Sequence, residues 1–395
     1  MKVPITKPYF TQEDIEAIQQ PLKTGWVVQG PYVKELENKF CSYTGARFSV
    51  AMNSCTSAQF VASRCIGLKP GDEVIVPSFT WISTANAAEF TGAKPVFVDI
   101  DLDTFNIDVN KLENKINSKT KAIFPVNLFG LAADMEKIMT IAEKYSLKVI
   151  EDSACGLGAR IKDKHCGTFG DCGCFSMHPR KSITSGEGGI LITDNEKLAK
   201  MACALRDHGA DRTDLERHDQ KESFLLPEYK YMGYNFRLTD IQGALGSSQF
   251  NKLDDIIKKR RNIAGIYDKE LKGTFLSTPL VPAQFVHSYQ SYVCIYKYEK
   301  LVESIKEQKF NIIDVLNEER NKFMLKLEER GIATRQGTHA VHIQEYYKEK
   351  YNIGKFDYPF SYAADRLTVS LPIYPQMTEE EQEYVIENIR EVSNG

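Results

Sequence analysis

From about Ser57 to Asp194, short apolar runs alternate with helical patterns. That alternation confines the chain to an α/β layer architecture with a largely parallel sheet. The strand-length runs are Glu73 to Val76, Pro95 to Val98, Lys121 to Val126, Leu147 to Glu151, Cys172 to Ser176 and Gly188 to Thr193. Between two of them, Met135, Ile138, Ile141, Ala142 and Tyr145 recur at helical spacing and predict a helix with one apolar face. At 395 residues the chain exceeds the length at which one core usually stops growing, so two domains are expected. In such sheets ligands bind beyond the carboxyl ends of the strands, where Asp152 and the segment Phe79-Thr80-Trp81 fall.

Downstream, residues Ile241 to Lys272 read as one long helix bridging a large and a smaller domain. The strand Tyr292 to Tyr296 and the charged helix Leu301 to Arg330 follow, then a terminal helix whose start carries a capping box, Thr378 with Glu381. The most polar stretch, Arg206 to Lys221, reads as a mobile surface loop. Lys and Arg total 50 against 53 Asp and Glu, a net charge of -3, so no global field recruits nucleic acid or an anionic membrane. Neither a signal-peptide core nor a run of eighteen apolar residues is found, and a cytoplasmic protein is expected. Nine cysteines, mostly within apolar patterns, suit reduced core thiols better than disulfides, and the close pair Cys172 and Cys174 lacks the second cluster that a zinc site needs.

The chemistry is carried by two segments. Ser176-Met177-His178-Pro179-Arg180-Lys181-Ser182-Ile183-Thr184-Ser185-Gly186-Glu187-Gly188-Gly189 places Lys181 in a glycine-rich turn between two strand candidates, where a lysine can serve as a covalent anchor. Leu147 to Asp152 is a strand pattern ending in a carboxylate. An aldehyde cofactor with a basic ring nitrogen needs both groups, an amine to condense with the aldehyde and a carboxylate to keep the nitrogen protonated, and pyridoxal 5′-phosphate is that cofactor. Asn53-Ser54-Cys55-Thr56-Ser57-Ala58 precedes a helical run, gathering hydroxyls and free backbone N–H groups at one helix start. Such a start caps itself and can also hold a phosphate.

Together these segments resemble the DegT/DnrJ/EryC1/StrS family of nucleotide-sugar aminotransferases, and the likeness extends from Gly30-Pro31 to His339-Ala340-Val341-His342 and Leu371-Pro372-Ile373-Tyr374-Pro375. The resemblance implies a fold-type I pyridoxal phosphate-dependent transferase, similar to aspartate aminotransferase. Residues 1–245 would form the large cofactor-binding domain with an N-terminal arm, and 246–395 the linker helix and a small C-terminal α+β domain. It implies Lys181 and Asp152 as catalytic residues, Thr56, Ser57 and Ser176 at the cofactor phosphate, and Trp81 against the pyridine face. Asn235, in Gly233-Tyr234-Asn235-Phe236-Arg237, would reach the phosphate of a partner subunit, so that a homodimer shares its sites. Beside the ring hydroxyl, where the family most often has Gln or His, this chain has Cys155, whose thiol donates and accepts weakly.

The activity so implied is transfer of an amino group from an amino acid, glutamate by the family pattern, to a nucleotide-linked keto sugar. Its place would be amino-sugar and polysaccharide biosynthesis, such as that of lipopolysaccharide O-antigen. Two alternatives stand beside it. A dehydratase of the same family would carry histidine in place of the anchor lysine, whereas Lys181 is present; a non-catalytic scaffold could dispense with Lys181 and Asp152, and both are kept.

Overall fold

The computed structural model describes residues 1–212, 215 and 226–394. Seven strands build the principal sheet: β1 (Phe48–Met52), β2 (Glu73–Pro77), β3 (Lys94–Val98), β4 (Thr120–Ile123), β5 (Lys148–Asp152), β6 (Cys172–Ser176) and β7 (Gly189–Thr193). Their spatial order is β1-β7-β6-β5-β4-β2-β3. The strands from β6 to β3 pair in parallel, while β7 runs antiparallel to both of its neighbours. Side-chain alternation divides the sheet into two buried faces. Val74, Val76, Ile150, Cys172 and Leu191 pack with Ala58, Val61 and Ala62 of the helix Cys55–Cys65, and Ile75, Ile123 and Val149 pack with Met135 and Ile138 of the helix Met135–Lys144. Helices on both faces are why these strands read as nearly continuous apolar runs.

A second, smaller α+β domain holds the antiparallel strands β8 (Leu276–Ser277), β9 (Tyr292–Tyr296) and β10 (Thr368–Leu371). Tyr267, Phe323, Leu327, Val385 and Ile389, from the helices Leu253–Glu270, Ile312–Glu329 and Glu379–Asn394, complete its core. Val3 at the start of the chain joins that core and pairs with Ile332. The capping box is present: Thr378 N donates to Glu381 Oε2 at 2.9 Å and Glu381 N to Thr378 Oγ1 at 3.1 Å.

Several expectations are corrected. β1 lies outside the six expected runs because Ser49 and Ala51 dilute its apolar pattern, and its order comes from five register pairs with β7. β4 stops at Ile123, short of Val126, since Pro125 has no N–H for a ladder and Val126 makes only an isolated bridge to Asp152. The stretch 241–272 is two helices, Asp240–Phe250 and Leu253–Glu270. The break at Asn251-Lys252 lets Lys252 reach the buried Asp14, which also accepts from Ser248 and Gln249. The stretch 301–330 likewise divides into Tyr298–Lys306 and Ile312–Glu329, with Gln308 between them at φ 58°. Of the polar stretch 206–221, residues 213, 214 and 216–221 lie outside the described residues, and Arg206 is no surface residue: it is buried against Glu37, with 2.6 Å between Nη1 and Oε1. None of the nine cysteines is joined in a disulfide, and among the described residues no helix is long and apolar enough to cross a membrane.

Candidate active site

Glu151 and Asp152 leave the end of β5 on opposite faces, as consecutive strand residues must. Glu151 is structural. Its two oxygens accept from the backbone N–H groups of Gly167, Phe169 and Gly170 at 2.7, 2.6 and 3.0 Å, and from Asn127 Nδ2 at 3.1 Å. Asp152 points to the other face and is 3% exposed. Its backbone is fixed by the contacts Asp152 N to Pro125 O and Asn127 N to Asp152 O, both 2.9 Å. Thr84 Oγ1 donates to Asp152 Oδ2 at 2.6 Å and Ala154 N to Oδ1 at 3.1 Å. Burial lifts the Asp152 carboxyl above the ordinary aspartate value, and the Thr84 hydroxyl, the Ala154 N–H and the Lys181 charge offset part of that lift. A cation set beside it would relieve the remaining cost.

Lys181 stands in the connection between β6 and β7, which closes on itself through Met177 N to Gly188 O at 2.9 Å and Thr184 Oγ1 to Met177 O at 2.9 Å. From there its Nζ donates to the Cys155 sulfur at 3.1 Å. Burial would depress the Lys181 amine, but Cys155, then Cys55 and Asp152, carry it above the ordinary lysine value. As an ammonium the amine must give up a proton before it acts as a nucleophile. Cys55 is buried, and burial first, with Asp152 second, pushes its thiol well up, which leaves it inert.

The helix Cys55–Cys65 begins against this group. Ser54 Oγ caps it by accepting from Ser57 N at 3.1 Å, and Ala58 N bonds Ser54 O at 3.1 Å, so the N–H groups of Cys55 and Thr56 are left for an acceptor outside the helix. Ser57 Oγ donates to Asn53 Oδ1 at 2.7 Å. The strand register pairs Ser176 with Gly189. A Cβ on Gly189 would lie 2.2 Å from Ser54 O and 2.4 Å from Cys55 N, so only glycine lets β7 come this close to the helix start. Ser176, Gly189, Ser54, Thr56 and Ser57 thus gather at one corner, an anion-binding arrangement of hydroxyls and backbone donors.

Trp81 follows the short strand Phe79–Thr80, which pairs with His339–Ala340 of the second domain. It is 56% exposed, an open aromatic face whose carbonyl accepts from the Thr84 hydroxyl that also holds Asp152. The ring lies 5.9 Å from that of His339. Asn235 is exposed and bridges to Asp207. Its segment lies against the helix start of its own chain, where Asn53 N donates to Phe236 O at 2.9 Å, and Arg237 pairs with Asp207.

Sequence reasoning passed over Thr84 and Gln59. Gln59, 2% exposed, turns its amide toward Asp152, and neither amide atom finds a hydrogen-bond partner among the described residues. An amine, a buried carboxylate in need of a cation, an anion-binding helix start, an open aromatic face and an unsatisfied buried amide are together a donor set that fits pyridoxal phosphate.

The sequence matches the DegT/DnrJ/EryC1/StrS aminotransferase family over residues 8–390. It is 36% identical to the spore coat polysaccharide biosynthesis protein SpsC of Bacillus subtilis (strain 168) over 397 residues, covering 100% of this chain and 97% of the relative. The fold superposes on the PMP form of the putative sugar aminotransferase Spr1654 from Streptococcus pneumoniae with a TM-score of 0.90 at 28% identity, covering 100% of this chain and 99% of that one. Helicobacter pylori PseC, an aminotransferase involved in the biosynthesis of pseudoaminic acid, superposes with a TM-score of 0.87 at 26% identity, covering 100% of both chains.

Proposed function

Because the chain belongs to the DegT/DnrJ/EryC1/StrS aminotransferase family, we propose that it transfers an amino group from an amino acid, glutamate as the primary donor, to the keto carbon of a nucleotide-linked sugar, with pyridoxal 5′-phosphate as cofactor. The observation that carries this reading is the Lys181 amine within electrostatic reach of the buried Asp152 carboxylate and of Cys55, the first residue of the helix Cys55–Cys65. When bound, the cofactor supplies an electron-accepting ring that carries nitrogen from one substrate to the next.

The chain's own residues do the rest. Lys181 would anchor the cofactor, and its amine, when free, would move the proton at the reacting carbon. Asp152 holds a proton on the ring nitrogen. Thr84 keeps that carboxylate turned inward, and the backbone donors of Cys55 and Thr56, with the hydroxyls of Ser57 and Ser176, hold the phosphate. Trp81 would offer its face to the ring, and Cys155, whose sulfur accepts from the Lys181 amine, is the residue that would neighbour the ring hydroxyl. Asn235 is exposed, which suits service at the site of a second copy in a homodimer.

The test supplies the purified protein with pyridoxal phosphate, glutamate and a nucleotide-linked 4-keto hexose, and follows 2-oxoglutarate and the aminated sugar by mass spectrometry. Formation of both in equal amounts is the expected result. Loss of water from the sugar without amination would assign a dehydratase, and failure to take up the cofactor a scaffold. In the same assay, a subunit-exchanged mixture of Lys181→Ala and an inactive Asn235→Ala variant regains activity if Asn235 serves the partner site, and stays inactive if it does not.

A further inference from the structure

Away from the Lys181 site, a cavity of about 410 Å³ opens where the large domain meets the helix Leu253–Glu270. Tyr43, Gly158 and Arg160 form one wall; Asp254, Ile257, Lys258, Arg261 and Asn262 form the other. The two walls touch at Gly158, whose φ is +83° and where a Cβ would stand 2.1 Å from Ile257 Cδ1.

The charge in this cavity is not balanced. Arg261 directs Nε to His287 O at 2.9 Å and Nη2 to Gly158 O at 3.3 Å. Arg160 directs Nη1 to Asp163 O at 2.9 Å and Nη2 to Tyr43 O at 3.5 Å. These acceptors are carbonyls, which orient a guanidinium without neutralising it, and among the described residues neither arginine forms an ion pair with a carboxylate. Asp254, the one acid on the walls, already accepts from Tyr43 Oη at 3.0 Å. Three cations, Arg160, Lys258 and Arg261, therefore face one anion, a surplus of two positive charges. Arg261 is half-buried, and burial holds its guanidinium below the ordinary arginine value, so this charge gains from a counter-ion more than an exposed one would.

We propose that this cavity is a second binding site, separate from the cofactor site, for the phosphate monoester of a small polar molecule. A dianion matches the surplus, guanidinium groups bind phosphate through paired N–H donors, and the volume exceeds what phosphate alone needs and suits a sugar-sized body beside Asn262 and Tyr43. A ligand there would bridge Arg160 to Arg261 and so tie the large domain to the helix that leads into the smaller one.

The proposal does not depend on the amino-transfer reading. The experiment uses protein saturated with pyridoxal phosphate and freed of excess, so that the cofactor's phosphate corner is filled. Inorganic phosphate, glucose 6-phosphate and glucose are titrated by calorimetry at constant ionic strength. Glucose 6-phosphate should bind more tightly than inorganic phosphate, and glucose should not bind. Arg261→Gln should raise the Kd of the ester by about tenfold or more. Since Arg261 also supports the domain seam, Lys258→Gln, on an exposed position of the same wall, provides a second variant and should raise the Kd severalfold while leaving Tm unchanged. Binding of the ester with equal affinity to wild type and both variants would overturn the site, and an ester no tighter than inorganic phosphate would overturn its assignment to a monoester.

Discussion

Lys181 does little for the fold. It is only partly buried, and its amine contacts the Cys155 sulfur rather than a carboxylate partner. Replacing it with alanine should therefore leave thermal unfolding within about 0.5 kcal/mol of wild type, the usual range for a side chain outside the packed core. Amino transfer should fall by about a thousandfold or more, because anchor and proton carrier are lost together. Steady-state release of 2-oxoglutarate beside a thermal melt checks both halves, and near-normal turnover without an added amine would remove Lys181 from the chemistry. The partners of Asp152 have a different legibility. Lys181, Asp152 and the helix start stand out because each sits in a local pattern, a glycine-rich turn, a strand end and a hydroxyl cluster. Thr84 comes to Asp152 from 68 residues away in sequence, and Gln59 sits inside an ordinary helical run, so no local signal marks either.

Elements register in the sequence to the degree that their order is local. β6 and β9 begin and end where the apolar runs predict, whereas β1 is specified by its antiparallel partner β7 and the single helix expected over 241–272 is interrupted by the pull of Asp14 on Lys252. The placement of the helix Cys55–Cys65 against β7 is likewise a tertiary matter, and it hangs on Gly189. Gly189→Ala inserts a methyl group 2.2 Å from Ser54 O, a backbone atom that cannot swing aside. The helix start must then lift from the strand, which separates its free N–H groups from Ser176. The expected outcome is a protein less stable by about 1–3 kcal/mol, as for other overpacked core positions, that binds pyridoxal phosphate at least about tenfold more weakly. Chemical unfolding of the apoprotein and a cofactor titration by fluorescence measure the two effects, and unchanged cofactor affinity would show that this corner does not hold the phosphate.

At the scale of the whole molecule, the domain seam holds two histidines that fold as neutral imidazoles. His165 donates from Nδ1 to Cys166 O at 2.6 Å and accepts at Nε2 from Gly158 N at 2.9 Å, an arrangement that leaves no place for a second proton. His287 accepts at Nδ1 from Tyr289 N at 2.8 Å and stacks on the Tyr289 ring at 4.0 Å. Burial pushes His165 down to about 4 and His287 to about 3, and Arg160 and Arg261 add repulsion in the same direction. Their folded values lie below the unfolded value near 6.5, so the stability they contribute is complete above that pH and is lost as pH falls toward the folded values. Between pH 7 and pH 5 the unfolded chain takes up about 1.5 protons at these two sites that the folded chain refuses, and the pair should remove roughly 4 kcal/mol. Asp14 acts lower: burial would raise it, yet Lys252 and Ser248 hold it below the ordinary aspartate value, outside this window. Burial lifts Asp152 and Asp365 instead, and carboxyls raised in the folded state take up protons there first, which offsets part of the loss. Urea unfolding at pH 7, 6 and 5 should show the decline, and His165→Gln, whose amide still accepts from Gly158 N, should remove about half of this pair's share of it. Stability that stays level from pH 7 to 5 in the wild type would mean that these imidazoles take up their protons without unfolding the seam.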